Sequence, residues 1–154
     1  MVHPALLATL FAAAPFGPAA WADDLDPDLL TCMGHFEYLA SVWEEDLEQQ
    51  TQNAPETVQL VHQLSANWEA FGHLLGTQDN CETPYAEVRD RATQATVDIF
   101  EEEQRRLTAG ESYETVYADI WDRAVACSAA IGNDRLAEAS RAVAADGPPC
   151  GWGQ

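Results

Sequence analysis

Any chemistry in this chain must rest on four cysteines, four histidines and a surplus of carboxylates. The cysteines are Cys32, Cys81, Cys127 and Cys150. A thiolate can attack, ligate a metal or pair as a disulfide, and spacing decides among these roles. No two cysteines stand as Cys-x-x-Cys, so a redox motif, a zinc knuckle and c-type haem attachment all lack their signature. An even number of cysteines behind an export leader reads as two disulfides. Once both bonds have formed, no thiol remains for nucleophilic catalysis.

His62, Glu69 and His73 fall at steps of seven and four, along one side of a helix. Imidazole and carboxylate ligands suit zinc, copper or nickel, so this stripe is a candidate metal site. It lies on the flank of the apolar face, and its plainer reading is a solvated flank. His-Glu-x-x-His and Glu-x-x-His, the patterns of helical zinc and di-iron sites, are absent. His35 reads as a surface histidine. Its neighbour Gly34 costs a helix about 1 kcal/mol against alanine, and it suggests close approach by another helix or by the disulfide partner of Cys32.

Glu44-Glu45-Asp46, Asp98 and Glu101-Glu102-Glu103 could serve as acids or bases only if burial raised a carboxyl pKa. Consecutive runs point in all directions around a helix, so these are expected to be a solvated acidic face. Arg105-Arg106 is expected to complement the C-terminal dipole of its helix. Neither a Gly-x-Ser-x-Gly elbow nor a glycine-rich phosphate loop occurs. Trp43, Trp68, Tyr85, Tyr113 and Trp121 sit at helical spacing and read as core. Trp152, flanked by glycines, reads as exposed unless Cys150 ties it down.

Five helices must position these groups. Leu29, Cys32, Met33, Phe36, Leu39, Ala40, Trp43 and Leu47 recur at three- and four-residue steps and predict a helix over 28–52. Asn53-Ala54-Pro55 separates it from a second, whose stripe is Val58, Val61, Leu64, Trp68, Phe71 and Leu75, with Gly76 as its C-terminal stop. Thr83 is expected to cap a third helix and Pro84 to open it. Its inward set is Tyr85, Val88, Ala92, Ala95 and Ile99, and it frays near Ala109-Gly110. Ser112 caps a fourth, with Tyr113, Val116, Tyr117, Ile120, Ala124, Cys127 and Ile131 inward. Gly132-Asn133 ends it, and Asp134 caps a short fifth helix to about residue 145. The fold class expected is all-α: an antiparallel four-helix bundle with a short fifth C-terminal helix, stapled by disulfides.

That topology selects among the three possible pairings. The start of the first helix and the end of the fourth lie at the same end of an up-down bundle, which favours Cys32–Cys127. The loop carrying Cys81 lies there too, and the tail can return with Cys150. Cys32–Cys81 with Cys127–Cys150 is the runner-up.

Composition and charge set the compartment and the partners. The chain has 154 residues, 47% of them hydrophobic, enough for one domain with its own core. Twenty-six acidic residues face seven basic ones, all arginine, for a net charge of −19. Such a chain repels nucleic acid and anionic membranes and attracts basic proteins. Residues 5–14 form an apolar run of about ten, too short for the roughly 20 a bilayer span requires. Pro15, Gly17 and Pro18 follow, and then Ala20-Trp21-Ala22, which fits signal peptidase. The expectation is a leader over 1–22, cleaved before Asp23, and a single helical domain over 23–154, although Met1 to Pro4 carries no Lys or Arg. The mature protein is expected to be periplasmic or secreted, without stable membrane insertion. It is expected to be a non-enzymatic, cofactor-free module binding another protein, of inhibitor or immunity type. The alternative is a metal-binding or envelope-stress protein using the His62, Glu69, His73 stripe.

Overall fold

The computed structural model describes residues 29–49, 55–78 and 80–152. The leader, the cleavage point at Asp23, the break at Asn53-Ala54, Asp79, the side chains of residues 46–49 and the last two residues lie outside them. The described elements are α1 (Leu29–Gln49), α2 (Pro55–Gln78), α3 (Tyr85–Thr108), α4 (Tyr113–Ile131), α5 (Asn133–Asp146) and a 3-10 turn, Pro149–Gly151. The described residues are thus all-helical, and the chain carries two disulfides.

The first helix is the hub. Leu29, Leu30, Cys32, Met33, His35, Phe36, Tyr38 and Leu39 are all buried, which spreads well beyond one stripe although Thr31 among them and the C-terminal Glu44 and Glu45 are exposed. A helix is apolar all round only when other elements enclose it. Here α2, α3 and α4 each pack directly on α1, while α5 packs on α2 and α4. Matched contacts give the directions. Phe36 meets Phe71 with ring centroids 5.3 Å apart, and Met33 meets Gly72, so α2 is antiparallel to α1. Cys32 bonds Cys127, and Trp43 bonds Tyr117, so α4 is antiparallel as well. Gly34 abuts Ala95, and Tyr38 reaches Glu103, so α3 runs parallel to α1.

That parallel contact depends on Gly34. A Cβ there would lie 2.6 Å from the Ala95 Cβ and 3.0 Å from the Thr96 nitrogen. The Thr96 hydroxyl donates to the Gly34 carbonyl at 3.3 Å and to the Ala92 carbonyl at 3.1 Å. A small residue on one helix therefore sits in a notch of small residues on the other, and the backbones close on each other.

Helix ends follow local chemistry, with three departures. The Ser112 hydroxyl accepts from the Thr115 N–H, a conventional N-cap. Gly132 turns between α4 and α5 at φ 90°. By contrast, Gly76 does not stop α2, which continues to Gln78. Its missing side chain instead admits Pro149 and the Cys150 Sγ, each 3.0 Å from where a Cβ would stand. Pro84, not Thr83, is the N-cap residue of α3, whose first helical residue is Tyr85, and α5 starts at Asn133 behind Gly132, so Asp134 lies inside its first turn rather than capping it.

A test of the hub is Gly34→Ala. Alanine normally gains a helix about 1 kcal/mol over glycine. Overpacking a close contact costs about 1–3 kcal/mol. The expected result is a lower urea midpoint, with Gly34→Val lower still; a midpoint raised by Gly34→Ala would show that α1 and α3 are not held this closely.

Candidate functional site

The structure places the His62, Glu69, His73 stripe along α2. His62 and Glu69 are exposed, while His73 is half-buried with its Nδ1 enclosed and unpartnered. Seven residues of helix set His62 about 10 Å from Glu69 along the axis, while Glu69 and His73 stand one turn apart. Among the described residues no group of three or more His, Cys, Asp or Glu is placed to hold a metal.

The polar chemistry lies instead on the seam where α1 meets α3 and α4. His35 is buried there rather than on the surface. Its Nδ1 is 2.9 Å from the Thr31 carbonyl oxygen. A carbonyl can only accept, so Nδ1 carries the proton and Nε2 presents a lone pair. That Nε2 is enclosed and has no hydrogen-bond partner. Arg123, Glu102 and Asp119 are the charged groups whose fields reach it.

Those three belong to an ion-pair network across the α3–α4 hairpin. The Arg123 guanidinium donates to both Glu102 oxygens at 2.9 Å and to Asp119 at 2.8 Å. Arg106 reaches Asp119 at 2.6 Å and forks onto Glu111. Arg106 is therefore engaged in specific pairs rather than in diffuse support of a helix dipole. Bidentate geometry of this kind fixes the register of two helices.

The acidic run Glu101-Glu102-Glu103 divides three ways. Glu101 faces solvent, Glu102 joins the network, and Glu103 is buried against the Tyr38 hydroxyl, which donates to it. Burial, reinforced by that carboxylate, pushes the Tyr38 hydroxyl well above the usual phenol range. The expectation of a wholly solvated run fails because Glu103 stands four residues after Ile99, in phase with the inward stripe. His35 was legible in the same way, three residues after Cys32 and four before Leu39.

An aromatic ladder flanks this seam. Tyr113, Tyr117 and Trp121 follow one another along α4 with centroids 5.7 and 6.4 Å apart. The Trp43 indole N–H donates to the Tyr117 hydroxyl at 2.6 Å. Burial pushes Tyr117 above the usual phenol range too. Trp152 is buried, its ring 5.5 Å from that of Tyr85.

The surface is electrostatically divided. No lysine or arginine precedes Arg89, so α1 and α2 carry no cationic side chain other than histidine. Glu44, Glu45, Glu56 and Glu69 are exposed there. All seven arginines lie on α3, α4 and α5, and two of them are engaged in the network. The buried His35, Tyr38 and Glu103 do not line the open groove formed by Leu30, Thr31, Arg91, Gln94, Ala95 and Asp98.

No family model, curated protein or solved structure matches the chain.

The seam predicts acid unfolding in two steps. Burial holds the His35 imidazole below its ordinary 6.5. The unfolded chain then binds that proton more readily, so stability is whole above about 6.5 and falls as the pH drops beneath it. Hydrogen bonds from Arg123 to Glu102, and from Arg106 to Asp119 and Glu111, hold those carboxyls below their ordinary 4.5, 3.8 and 4.5. Their contribution is whole above those values and is lost as pH falls through the folded ones. Urea midpoints measured across pH should decline first below about 6.5 and again in the carboxylate range. His35→Gln should flatten the upper decline and leave the lower; an unchanged upper decline would show that His35 is not its source.

Proposed function

We propose that this is an exported, non-enzymatic helical protein that binds a basic protein partner through its α1–α2 side. The carrying observation is the charge division. The exposed carboxylates of α1 and α2 have no arginine or lysine on either helix to offset them, whereas the arginines stand on α3 to α5. An excess of like charge on one side draws in an oppositely charged partner and accelerates encounter.

Two disulfides suit an oxidising compartment, and no described helix is long and apolar enough to cross a membrane. The alternating directions of α1 to α4 support reading the frame as an up-down four-helix bundle with α5 laid across α2 and α4. An inhibitor or immunity-type role fits a rigid acidic body of this kind. The enclosure of His35, Tyr38 and Glu103, away from the open groove, favours a structural use for them over acid–base catalysis.

The test is affinity capture from an envelope fraction at low and high salt, with mass spectrometry of what is retained. The identified protein is then titrated against wild type and a Glu44→Gln/Glu45→Gln/Glu69→Gln variant. Retention of a basic protein that high salt abolishes, and affinity weakened roughly tenfold by the triple variant, are expected. Retention indifferent to salt, or a partner as acidic as this chain, would overturn the proposal.

A further inference from the structure

The two disulfides sit in different surroundings. Cys32 is buried in the hub and Cys127 is half-buried on α4, so their bond lies within the helical core. Cys81 and Cys150 are both exposed. Their backbones are unusual as well. Asn80, Cys81 and Cys150 have φ of 51°, 60° and 63°, the only positive values at non-glycine residues among those described. That left-handed region is one that side chains with a Cβ avoid unless something holds them there.

What the outer bond holds is the C-terminal tail. After α5 the chain turns through Pro149 and Cys150 across the bare backbone of Gly76. It then lays Trp152 beside Gly72 of α2, 3.9 Å from where a Cβ would stand, and against the Tyr85 ring at the start of α3. The Met33 methyl group of α1 adjoins the same glycine. Both glycines face the tail, so the surface is shaped to receive it. Apart from the burial of Trp152 itself, the tail is held by a short turn, with the Trp152 N–H bonded back to the Pro149 carbonyl.

We propose that Cys81–Cys150 is a releasable latch on the Trp152 seat, opened by an external dithiol, while Cys32–Cys127 is a permanent staple. Accessibility controls thiol–disulfide exchange, and strained, exposed bonds are the labile ones. One thiolate of the dithiol attacks one sulfur of the pair and forms a mixed disulfide. The other sulfur leaves as a thiolate and takes up a proton. The second thiol of the reductant then attacks the mixed disulfide, freeing the second cysteine. Two electrons and two protons pass to Cys81 and Cys150, and the dithiol becomes a cyclic disulfide. With the bond open, the backbone of Cys150 relaxes while Cys81 stays in the helix cap, its N–H on the Gly76 carbonyl; Trp152 leaves its seat, and the apolar surface of Gly72, Met33 and Tyr85 is uncovered. This inference is independent of the charge argument for a basic partner.

The experiment is timed reduction of the full chain with dithiothreitol under native conditions, quenched with iodoacetamide and mapped by peptide mass, with tryptophan emission and far-ultraviolet circular dichroism recorded in parallel. Cys81 and Cys150 should be alkylated at least about tenfold sooner than Cys32 and Cys127. Helicity should persist at that stage, and emission should shift to longer wavelength in wild type but not in Trp152→Phe. Loss of both bonds at one rate, or of Cys32–Cys127 first, would overturn the latch. So would early opening of Cys81–Cys150 with the same emission change in wild type and Trp152→Phe, because the bond would then not be what seats Trp152. Cys81→Ser/Cys150→Ser provides the same emission comparison without reductant.

Discussion

The structure depends on enclosing α1. Met33 and Leu39 are fully buried, and Cys32, Phe36 and Tyr38 nearly so, on different sides of one helix. Three other helices must close around it, and each does so by a different means. Against α2 the contact is aromatic, Phe36 on Phe71. Against α4 it is covalent at one end, through Cys32–Cys127, and polar at the other, through Trp43 and Tyr117. Against α3 it is backbone approach at Gly34, which sets the distance, with Val88, Ala92 and Ile99 of α3 buried in the same core. Because protein interiors are packed near crystalline density, a shift at any one of these contacts is felt at the other two.

Enclosure on several sides has a consequence for polar residues. A helix of this length cannot be apolar at every position and still carry the residues that fix its partners. His35 and Tyr38 are therefore buried polar groups, and each must find compensation. Tyr38 finds it in Glu103, while His35 finds only half of it in the Thr31 carbonyl. Burial favours the neutral imidazole, which can sit beside the Arg123 guanidinium without adding a second positive charge. The network of Arg106, Arg123, Glu102, Asp119 and Glu111 then holds α3 and α4 in register, a task that apolar side chains perform with less specificity.

Much of this was legible in the chain itself. Helix count, the breaks at Ser112 and Gly132, and the two cysteine pairs follow from periodicity, caps and which helix ends share a side of the molecule. The legibility stopped where one helix was read as having one face. A stripe drawn through Leu29, Met33, Phe36 and Leu39 leaves His35 outside, although it is in phase between Cys32 and Leu39. The acidic run misled for the same reason: three consecutive carboxylates mask the one that continues the spacing of Ala92, Ala95 and Ile99. Gly76 had the signature of a helix stop, but a glycine also admits a crossing chain, and only the returning tail decides between the two uses. Helical phase alone aligns His62 with Glu69 and His73 without bringing all three together, since His62 stands about 10 Å from Glu69 along the axis.

Charge and cross-links belong to one argument. A net charge of −19 on 154 residues repels itself most strongly when the chain is compact, so it works against folding. The α3–α4 network relieves part of this by pairing three carboxylates with two arginines. The helices α1 and α2 carry no arginine or lysine of their own. What acts there is covalent. Cys32–Cys127 ties the hub to α4 across 95 residues, and Cys81–Cys150 ties the end of α2 to the tail across 69. In the chain-entropy treatment, loops of this length restrict the unfolded state by about 4–5 kcal/mol each when taken singly. The cross-links thus offset a repulsion that the acidic side cannot shed without losing its attraction for cations. Reduction of both bonds leaves the repulsion intact and removes the offset, which makes the stability of this acidic surface dependent on the redox state of its surroundings.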